Sequence, residues 1–546
     1  MSWLVETVAA VCLVWCCFIV IVQTVGISAI FRYFSHHPKP SVSAKLGSNA
    51  PSVTIIRPVK GIEPNLYDCI ASTFRQDYPS DRCSIRLCVE DVSDPAYSIL
   101  EQLVHDFPGF DVKILVEARD PVLHGPNGHI ENLGPNPKIR NISRAYREAE
   151  SDIVWIIDCN VWVSTGVLGR MVDKLSGFAP LGKVVQPYKF VHHMPLVIDT
   201  VDYSNDAASQ EALLASTGTA NDMGTMNMGE GLGTRIWNQA GGRLDEMFMA
   251  TTHVKFYGAI NSVGVAPCIV GKSNMFRKSH LDQVTAPSHP PTPGVTPRPA
   301  GIDHFSFNIC EDHLIGDLLW KSKIPGFLNH GIVWGDLVIQ PMAGMGITSY
   351  AARRVRWLRA RKFTVLAATL VEPGVESILC CAYLAFALTT LPWFNRSWGI
   401  RPTWTAAGCI WLVAMAAWMT VDWFTFQHLH AGKSMKTDES TPKFAKGTRR
   451  HGGMNKRPFY EWLPAWIGRE ILALPIWTIA VLLGTTVSWR GRSFSVNMDG
   501  AVKAVGVRDL PVTSSLTTPE LERARTQNKD GLTRQRMAFD WHPDHP

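Results

Sequence analysis

The sequence predicts an α/β protein: a mostly parallel sheet flanked by helices, with membrane-spanning helices towards both ends of the chain. Three observations predict it. Strand-like and helix-like patterns alternate between residues 53 and 158, as βαβ units require. Residues 7–31 contain no Asp, Glu, Lys or Arg; as a helix they would run about 37 Å, enough for a hydrocarbon core of about 30 Å. Three more uncharged runs lie late in the chain, at 377–395, 402–421 and 471–489, each long enough to span.

The first apolar run reads as an anchor. Glu6 precedes it with no Lys or Arg, and it is longer than the apolar core of a cleaved signal, about 7–15 residues. Arg32, Lys39 and Lys45 follow it, so the positive-inside preference puts the next segment in the cytosol. Val53–Pro58 reads as a buried strand, and Leu66, Cys69, Ile70 and Phe74 recur at helical spacing. Residues 85–91 form a second strand ending in acids, 112–117 a third, 138–149 a helix and 152–158 a fourth strand ending in Asp158. Ligands of such sheets bind beyond the C-terminal ends of the strands, where this pattern puts Asp91 and Asp158. Residues 205–246, rich in Gly, Met, Asn and Ser, and 287–301, with six prolines, read as mobile inserts. Trp393, Trp404, Trp423 and Trp489 sit near the ends of the late runs, as interfacial tryptophans do. The expected organisation is therefore an anchor at 1–35, a catalytic domain at 50–345, an interfacial segment at 346–363, transmembrane helices within 364–497 and a polar tail at 498–546.

Composition narrows the class. Charged residues make up 18 % of the chain, below the roughly 25 % usual for soluble proteins. The net charge of +6 has a local source: residues 431–457 hold eight Lys or Arg and two acids. No aromatic-interleaved basic domain accompanies that loop, which argues against a nucleic-acid binder. Twelve cysteines without one C-x-x-C spacing give no support to a zinc site or a disulfide framework; reduced thiols agree with a cytosolic domain.

Four clusters carry the chemistry. In Asp158-Cys-Asn160, residues two apart on a strand share a face, so two oxygens can meet one hard cation, Mg²⁺ or Mn²⁺; a simple strand-end cap is the plain alternative. Glu90-Asp91 and Asp94 either accept from a nucleobase or solvate a loop. Glu311-Asp312 opens a helical stretch, where acids complement the helix dipole or serve as a general base. Arg353 and Arg356 lie three apart on one helix face, followed by Trp357. They suit either anionic lipid or a departing diphosphate.

The order of these clusters resembles the membrane-bound inverting glycosyltransferases of the glycosyltransferase-A fold. The match tightens in Arg57-Pro-Val-Lys-Gly61, Gln76-Asp-Tyr-Pro79, Leu87-Cys-Val-Glu-Asp91, Asn136-Pro-Lys-Ile139, Arg353 to Trp357 and Trp489-Arg-Gly-Arg492, which resemble the ceramide glucosyltransferases from about residue 3 to 497. The long inserts suggest a fungal-type member. The resemblance implies that Asp91 contacts the uridine of UDP-glucose and that Asp158 serves the metal-bound diphosphate. It makes Asp312 the base, and Arg353, Arg356 and Trp357 the acceptor and diphosphate element. Lys138 would touch diphosphate; His192 and Glu311 would lie near substrate. Position 160 departs from the wider superfamily, which usually has a second Asp there, so metal dependence should be weak or tolerant of Mg²⁺.

The implied reaction is inverting transfer of glucose from UDP-glucose to the primary hydroxyl of ceramide, on the cytosolic face of a Golgi or ER membrane. One anchor plus three late spans would leave the C-terminus in the lumen, in tension with Arg490 and Arg492 after the last run. A processive polysaccharide synthase shares the fold, but three late spans are few for a polymer channel. A non-catalytic membrane scaffold is the remaining reading, against which Asp91, Asp158, Asp312 and Arg356 all stand.

Overall fold

The computed structural model describes residues 3–124, 133–180, 183, 185–201, 232–287, 298–489, 492–498 and 500–505. The chain divides into a unit of residues 1–503 and a short unit of residues 504–546; the architecture below is that of the first. Most of the expected polar tail, and residues 205–231 and 288–297 of the expected inserts, lie outside the described residues.

Strands β1 (Val53–Pro58), β2 (Cys83–Val89), β3 (Asp111–Val116) and β4 (Ile153–Ile157) run parallel in the order β3-β2-β1-β4. Their Val- and Ile-rich stretches suit strands covered on both faces. Ile55, Ile85, Leu87 and Trp155 point to one face, where helices α2 (Leu66–Phe74), α3 (Tyr97–Asp106) and, further along the chain, α5 (Val167–Ser176) pack. Ile56, Cys88, Val154 and Ile156 point to the other, against α4 (Pro137–Arg147). Beyond β4 the sheet becomes mixed. Strand β7 (Ser273–Arg277) is antiparallel to β4 and to β6 (Tyr188–Asp199); β8 (Leu328–Met342) is parallel to β6; and β5 (Trp162–Val163) closes the edge.

Residues 232–246 correct one expectation. They are helical, in Leu232–Gln239 and in α6 (Gly241–Phe248). Asp245 and Glu246 of α6 are buried to within 1 %. The composition suggested a loop, but these acids are drawn inside by cations. Arg353 stands 3.2 Å from Asp245, and Arg457 stands 3.6 Å from Glu246.

After α7 (Val254–Val263) come α8 (Glu311–Lys321), α9 (Ile347–Arg361), α10 (Ser377–Thr390), α11 (Trp404–His430) and α12 (Phe459–Val481). Two helices among the described residues are long and apolar enough to cross a membrane, α1 (Trp3–Tyr33) and α11; Leu366–Val375 and α10 form a third candidate bent by 70°. The run expected to span at 471–489 is not one continuous helix. Its first half belongs to α12, and it ends in β9 (Thr486–Trp489). Helix α12 also carries Arg469 and Glu470, both buried, with Arg469 2.5 Å from Glu376. Strand β9 pairs with β10 (Arg492–Val496), next to β11 (Val502–Ala504). That small sheet returns to the catalytic unit: Arg492 meets Glu90 at 3.1 Å and the Val502 amide donates to Phe307. Residues 492–502 therefore lie on the same side as the large sheet, which removes the tension over Arg492; Arg490 is outside the described residues.

The apolar helices are tied to the sheet by close contact and by charge. A Cβ on Gly26 of α1 would come within 1.9 Å of the Lys255 carbonyl on α7, so only glycine permits that approach. Lys255 and Asp422 of α11 are fully buried and 2.5 Å apart; the indole of Trp466 on α12 donates to Asp422 at 2.9 Å. Removing one member of a buried pair strands its partner's charge, at a cost of about 3–5 kcal/mol. Lys255→Met or Asp422→Asn is therefore expected to lower the thermal midpoint of the detergent-solubilised protein sharply, and the apolar double variant Lys255→Met/Asp422→Leu to recover most of the loss. Single variants that melt like the parent would show that the pair bears no load.

Candidate active site

The site forms where the C-terminal ends of β1, β2 and β4 meet the start of two helices. Pro137 stands at the first position of α4, where its lost N–H costs nothing. Asn136 caps that helix, its side-chain oxygen accepting from the amides of Lys138 and Ile139. The same side chain donates to Glu311 at 3.0 Å. One asparagine thus sets the start of α4 against the start of α8. From within α4, Asn141 donates to the carbonyls of Val59 and Cys88, which fixes the helix over the ends of β1 and β2.

Lys138 is the centre of the cluster. Its Nζ lies 3.3 Å from Asp158 Oδ1, 3.2 Å from Glu311 Oε1 and 3.2 Å from both oxygens of Asp312. Burial alone would lower the lysine's pKa, but the three carboxylates raise it well above the ordinary value. Asp158 is likewise opposed by burial, yet Lys138 and Lys272 hold it down to about 2. Glu311 behaves in the opposite way. Burial, and then the neighbouring Asp312, push it up to about 7. Only 3 % of the Glu311 side chain is exposed, against 23 % for Asp312 and Asp158. Glu311 therefore faces the protein, and the two aspartates face the cleft.

A second ammonium completes the site. Lys272, in the turn before β7, donates to Asp158 Oδ2 at 3.0 Å and to Asn160 Oδ1 at 3.3 Å. The turn is fixed by the Asp158 amide, which donates to the Lys272 carbonyl at 3.1 Å. A Cβ on Gly271 would fall 1.7 Å from Asp312 Oδ2, so the glycine is what lets the carboxylate reach this turn. From beneath, the fully buried Arg57 donates to the carbonyls of Asp158 and Val161, at 2.7 and 3.0 Å, and to Cys69. It fixes the Asp158–Asn160 turn from inside.

Of the residues read from the sequence, the structure gathers Lys138, Asp158, Asn160, Glu311 and Asp312 into this one cluster. Asp91 lies at the neighbouring strand end, its Oδ1 accepting from the Ser93 amide at 2.8 Å. Arg353 and Trp357 form a separate element on α9. The Arg353 guanidinium pairs with Asp245 and lies 4.5 Å from the centre of the Trp357 ring, while Arg356 is half-buried beside them. The far end of α9 carries Arg361, whose guanidinium pairs with Glu372. His192 stands apart: it is fully buried in β6, with Nδ1 against the Tyr257 hydroxyl. Its ring neighbours are Phe190, Tyr257 and His330, none a member of the site, so a substrate contact is not supported there. Sequence reasoning missed Lys272 and the role of Arg57. Lys272 carries only a faint signal, a Gly-Lys-Ser run just before a strand.

The model of Glycosyl transferase family 21 matches residues 15–203 and 232–502. A ceramide glucosyltransferase of Gibberella zeae is 50 % identical over 526 residues, covering 96 % of this chain and 98 % of the relative. One from Pyricularia oryzae is 54 % identical over 508 residues, covering 92 % and 96 %. One from Komagataella phaffii is 33 % identical over 532 residues, covering 90 % and 91 %. With its strand-end aspartates, its paired lysines and its Arg-x-x-Arg-Trp helix set among membrane-crossing segments, the chain belongs to glycosyltransferase family 21, alongside the fungal ceramide glucosyltransferases.

Proposed function

We propose that the protein transfers glucose from UDP-glucose to the primary hydroxyl of ceramide with inversion at the anomeric carbon. The observation that carries this reading is the shared ammonium: Lys138 bridges Asp158, at a strand end suited to a nucleotide diphosphate, to Asp312, a half-exposed carboxylate suited to a base. The family relatives name the acceptor and the sugar.

In this reading Asp91 accepts from the uracil or ribose at the neighbouring strand end. Asp312 accepts the ceramide hydroxyl proton as the new O–C1 bond forms. The bond from C1 to the UDP oxygen breaks on the opposite face, and its electron pair leaves with UDP. Lys138 holds Asp312 near the reacting hydroxyl, and Arg356 meets the growing charge on the diphosphate. Trp357, packed against Val197, Phe248 and Met342, supplies a flat apolar wall for the acceptor. In this reading α1, α10 and α11 hold the site beside the bilayer, where lipid and sugar donor meet, and the basic residues after α1 favour the cytosolic side. A Golgi or ER membrane suits a cytosolic nucleotide sugar.

Asp158 and Asn160 fit a divalent cation. One ammonium bonds to both of their oxygens, so those oxygens converge on a point that favours positive charge. When bound, Mg²⁺ or Mn²⁺ would share these two ligands with diphosphate oxygens and water and would neutralise leaving-group charge.

Asp312→Asn is expected to lower kcat by about 10²–10⁴-fold while UDP binding, followed by calorimetry, stays near the parent value. Loss of UDP binding would make Asp312 a donor ligand and not the base. Arg356→Lys is expected to lose most activity, because an ammonium lacks the planar fork; parent-like turnover would reduce Arg356 to a lipid contact. Glu311 keeps its proton to about pH 7 in the folded chain, whereas an ordinary glutamate releases it near 4.5. Between those values the unfolded chain gains stability as pH rises. The thermal midpoint should fall across that window, and Glu311→Gln should flatten the fall; an unchanged slope would place the titration elsewhere.

A further inference from the structure

We propose that Lys272 is a built-in cation of the donor site: its ammonium binds the diphosphate of the incoming nucleotide sugar and competes with the divalent cation for Asp158 and Asn160. The proposal rests on the reading of Asp158 as the diphosphate-side carboxylate.

The two lysines of the cluster are not equivalent. Lys138 has three carboxylates around it and is fully committed to them. Among the described residues, Lys272 has one carboxylate, Asp158, and one neutral amide, Asn160, as its acceptors. An ammonium carries three N–H donors, so one remains for a further acceptor. Its side chain is only 11 % exposed, so the nearest source of that acceptor is whatever enters the cleft at Asp158.

The position is built and not accidental. The Lys272 amide donates to the Val270 carbonyl at 2.8 Å, closing a tight turn. The next residue, Ser273, pairs with Ile157 in the β4–β7 ladder, and its hydroxyl is held by the Trp155 indole and by His193, each at 2.9 Å. The preceding Gly271 leaves its Cβ space to Asp312. The turn is thus clamped between the diphosphate-side carboxylate and the base, and its ammonium sits on the two oxygens a cation would use. An ion can reach both oxygens only by displacing that ammonium. A displaced ammonium on a four-carbon stem moves onto the phosphate oxygens arriving at the same point. The neutral Asn160 becomes intelligible as well. A second carboxylate there would hold Lys272 more firmly than the amide does and leave it less ready to move.

The test uses the full chain in detergent micelles, with UDP and Mn²⁺ as probes. UDP affinity is measured by calorimetry with EDTA present, and Mn²⁺ affinity without nucleotide by electron paramagnetic resonance. In Lys272→Met, UDP affinity in EDTA is expected to fall by about tenfold or more, the worth of one charge-assisted contact, while Mn²⁺ binds more tightly than in the parent. Saturating Mn²⁺ should restore UDP binding to the variant far more than it improves the parent. Lys272→Gln, which keeps hydrogen bonds to Asp158 and Asn160 but no charge, should behave like Lys272→Met; this guards against misfolding of the methionine variant. If either folded variant binds UDP in EDTA as the parent does, with unchanged Mn²⁺ affinity, Lys272 is a structural prop and the proposal is overturned. If the parent itself binds no UDP under either condition, the donor reading of the site falls first.

Discussion

The site depends on one ammonium ion shared by three carboxylates that no other arrangement would hold together. Asp158, Glu311 and Asp312 come from a strand end and a helix start 153 residues further along the chain. Packed into one cleft without a counter-charge, they would repel one another and take up protons. Lys138 supplies that counter-charge, and together with Lys272 it keeps Asp158 well below the usual carboxylate range. It leaves Glu311, the most deeply buried of the three, as the group that yields, with its carboxyl pushed up to about 7. The result is a division of labour set by burial: two aspartates facing the cleft, and a glutamate behind them that hydrogen-bonds to Asn136.

Everything that touches Lys138 is itself fixed from behind. Asn136 caps α4 and reaches Glu311, Asn141 binds α4 to the ends of β1 and β2, and Arg57 holds the Asp158 turn through its carbonyls. Arg57 is a buried cation whose donors go mainly to backbone carbonyls and to Thr73. Burial lowers its pKa to about 10, which leaves it charged at neutral pH. A lysine in its place would offer a single nitrogen and could not span those carbonyls, which lie on separate segments.

The parts legible in the sequence were those governed by local pattern. Buried apolar runs marked β1, β2 and β4, and the acids that ended them, Asp91 and Asp158, were placed at the strand ends by that pattern alone. Two misreadings share a cause. Residues 471–489 looked like one helix because they lack charges, but the helix starts at Phe459, takes in Arg469 and Glu470, which are buried in ion pairs, and gives way to a strand at Thr486. Residues 241–246 looked like a surface loop because they are polar, yet their acids are among the most buried in the chain. Hydropathy assumes that charge seeks water, and it fails where buried charges neutralise one another between distant segments, as Arg469 and Glu376 do across 93 residues. Lys272 was hidden for the same reason: its partners, Asp158 and Asn160, are set by the β4–β7 pairing and not by any nearby residue.

Those long-range pairs also explain how a membrane unit and a soluble-looking sheet act as one body. Helix α6 is the junction. Arg243 reaches Asp199 at the end of β6, Asp245 holds Arg353 of α9, and Glu246 meets His430 at the end of α11 and Arg457 in the basic loop. A shift of α11 in the bilayer therefore cannot occur without pulling on the helix that carries Arg356 and Trp357. Apolar packing alone would let helices slide, since lipid tails are as apolar as the side chains they replace. Buried ion pairs do not slide, because a displacement of a few ångströms leaves an unpaired charge in a medium of low dielectric. The charges of α6 thus set the register between the lipid-facing helices and the sheet edge. In the proposed reaction, that register brings an acceptor alcohol held in the bilayer opposite the carboxylate that Lys138 contacts.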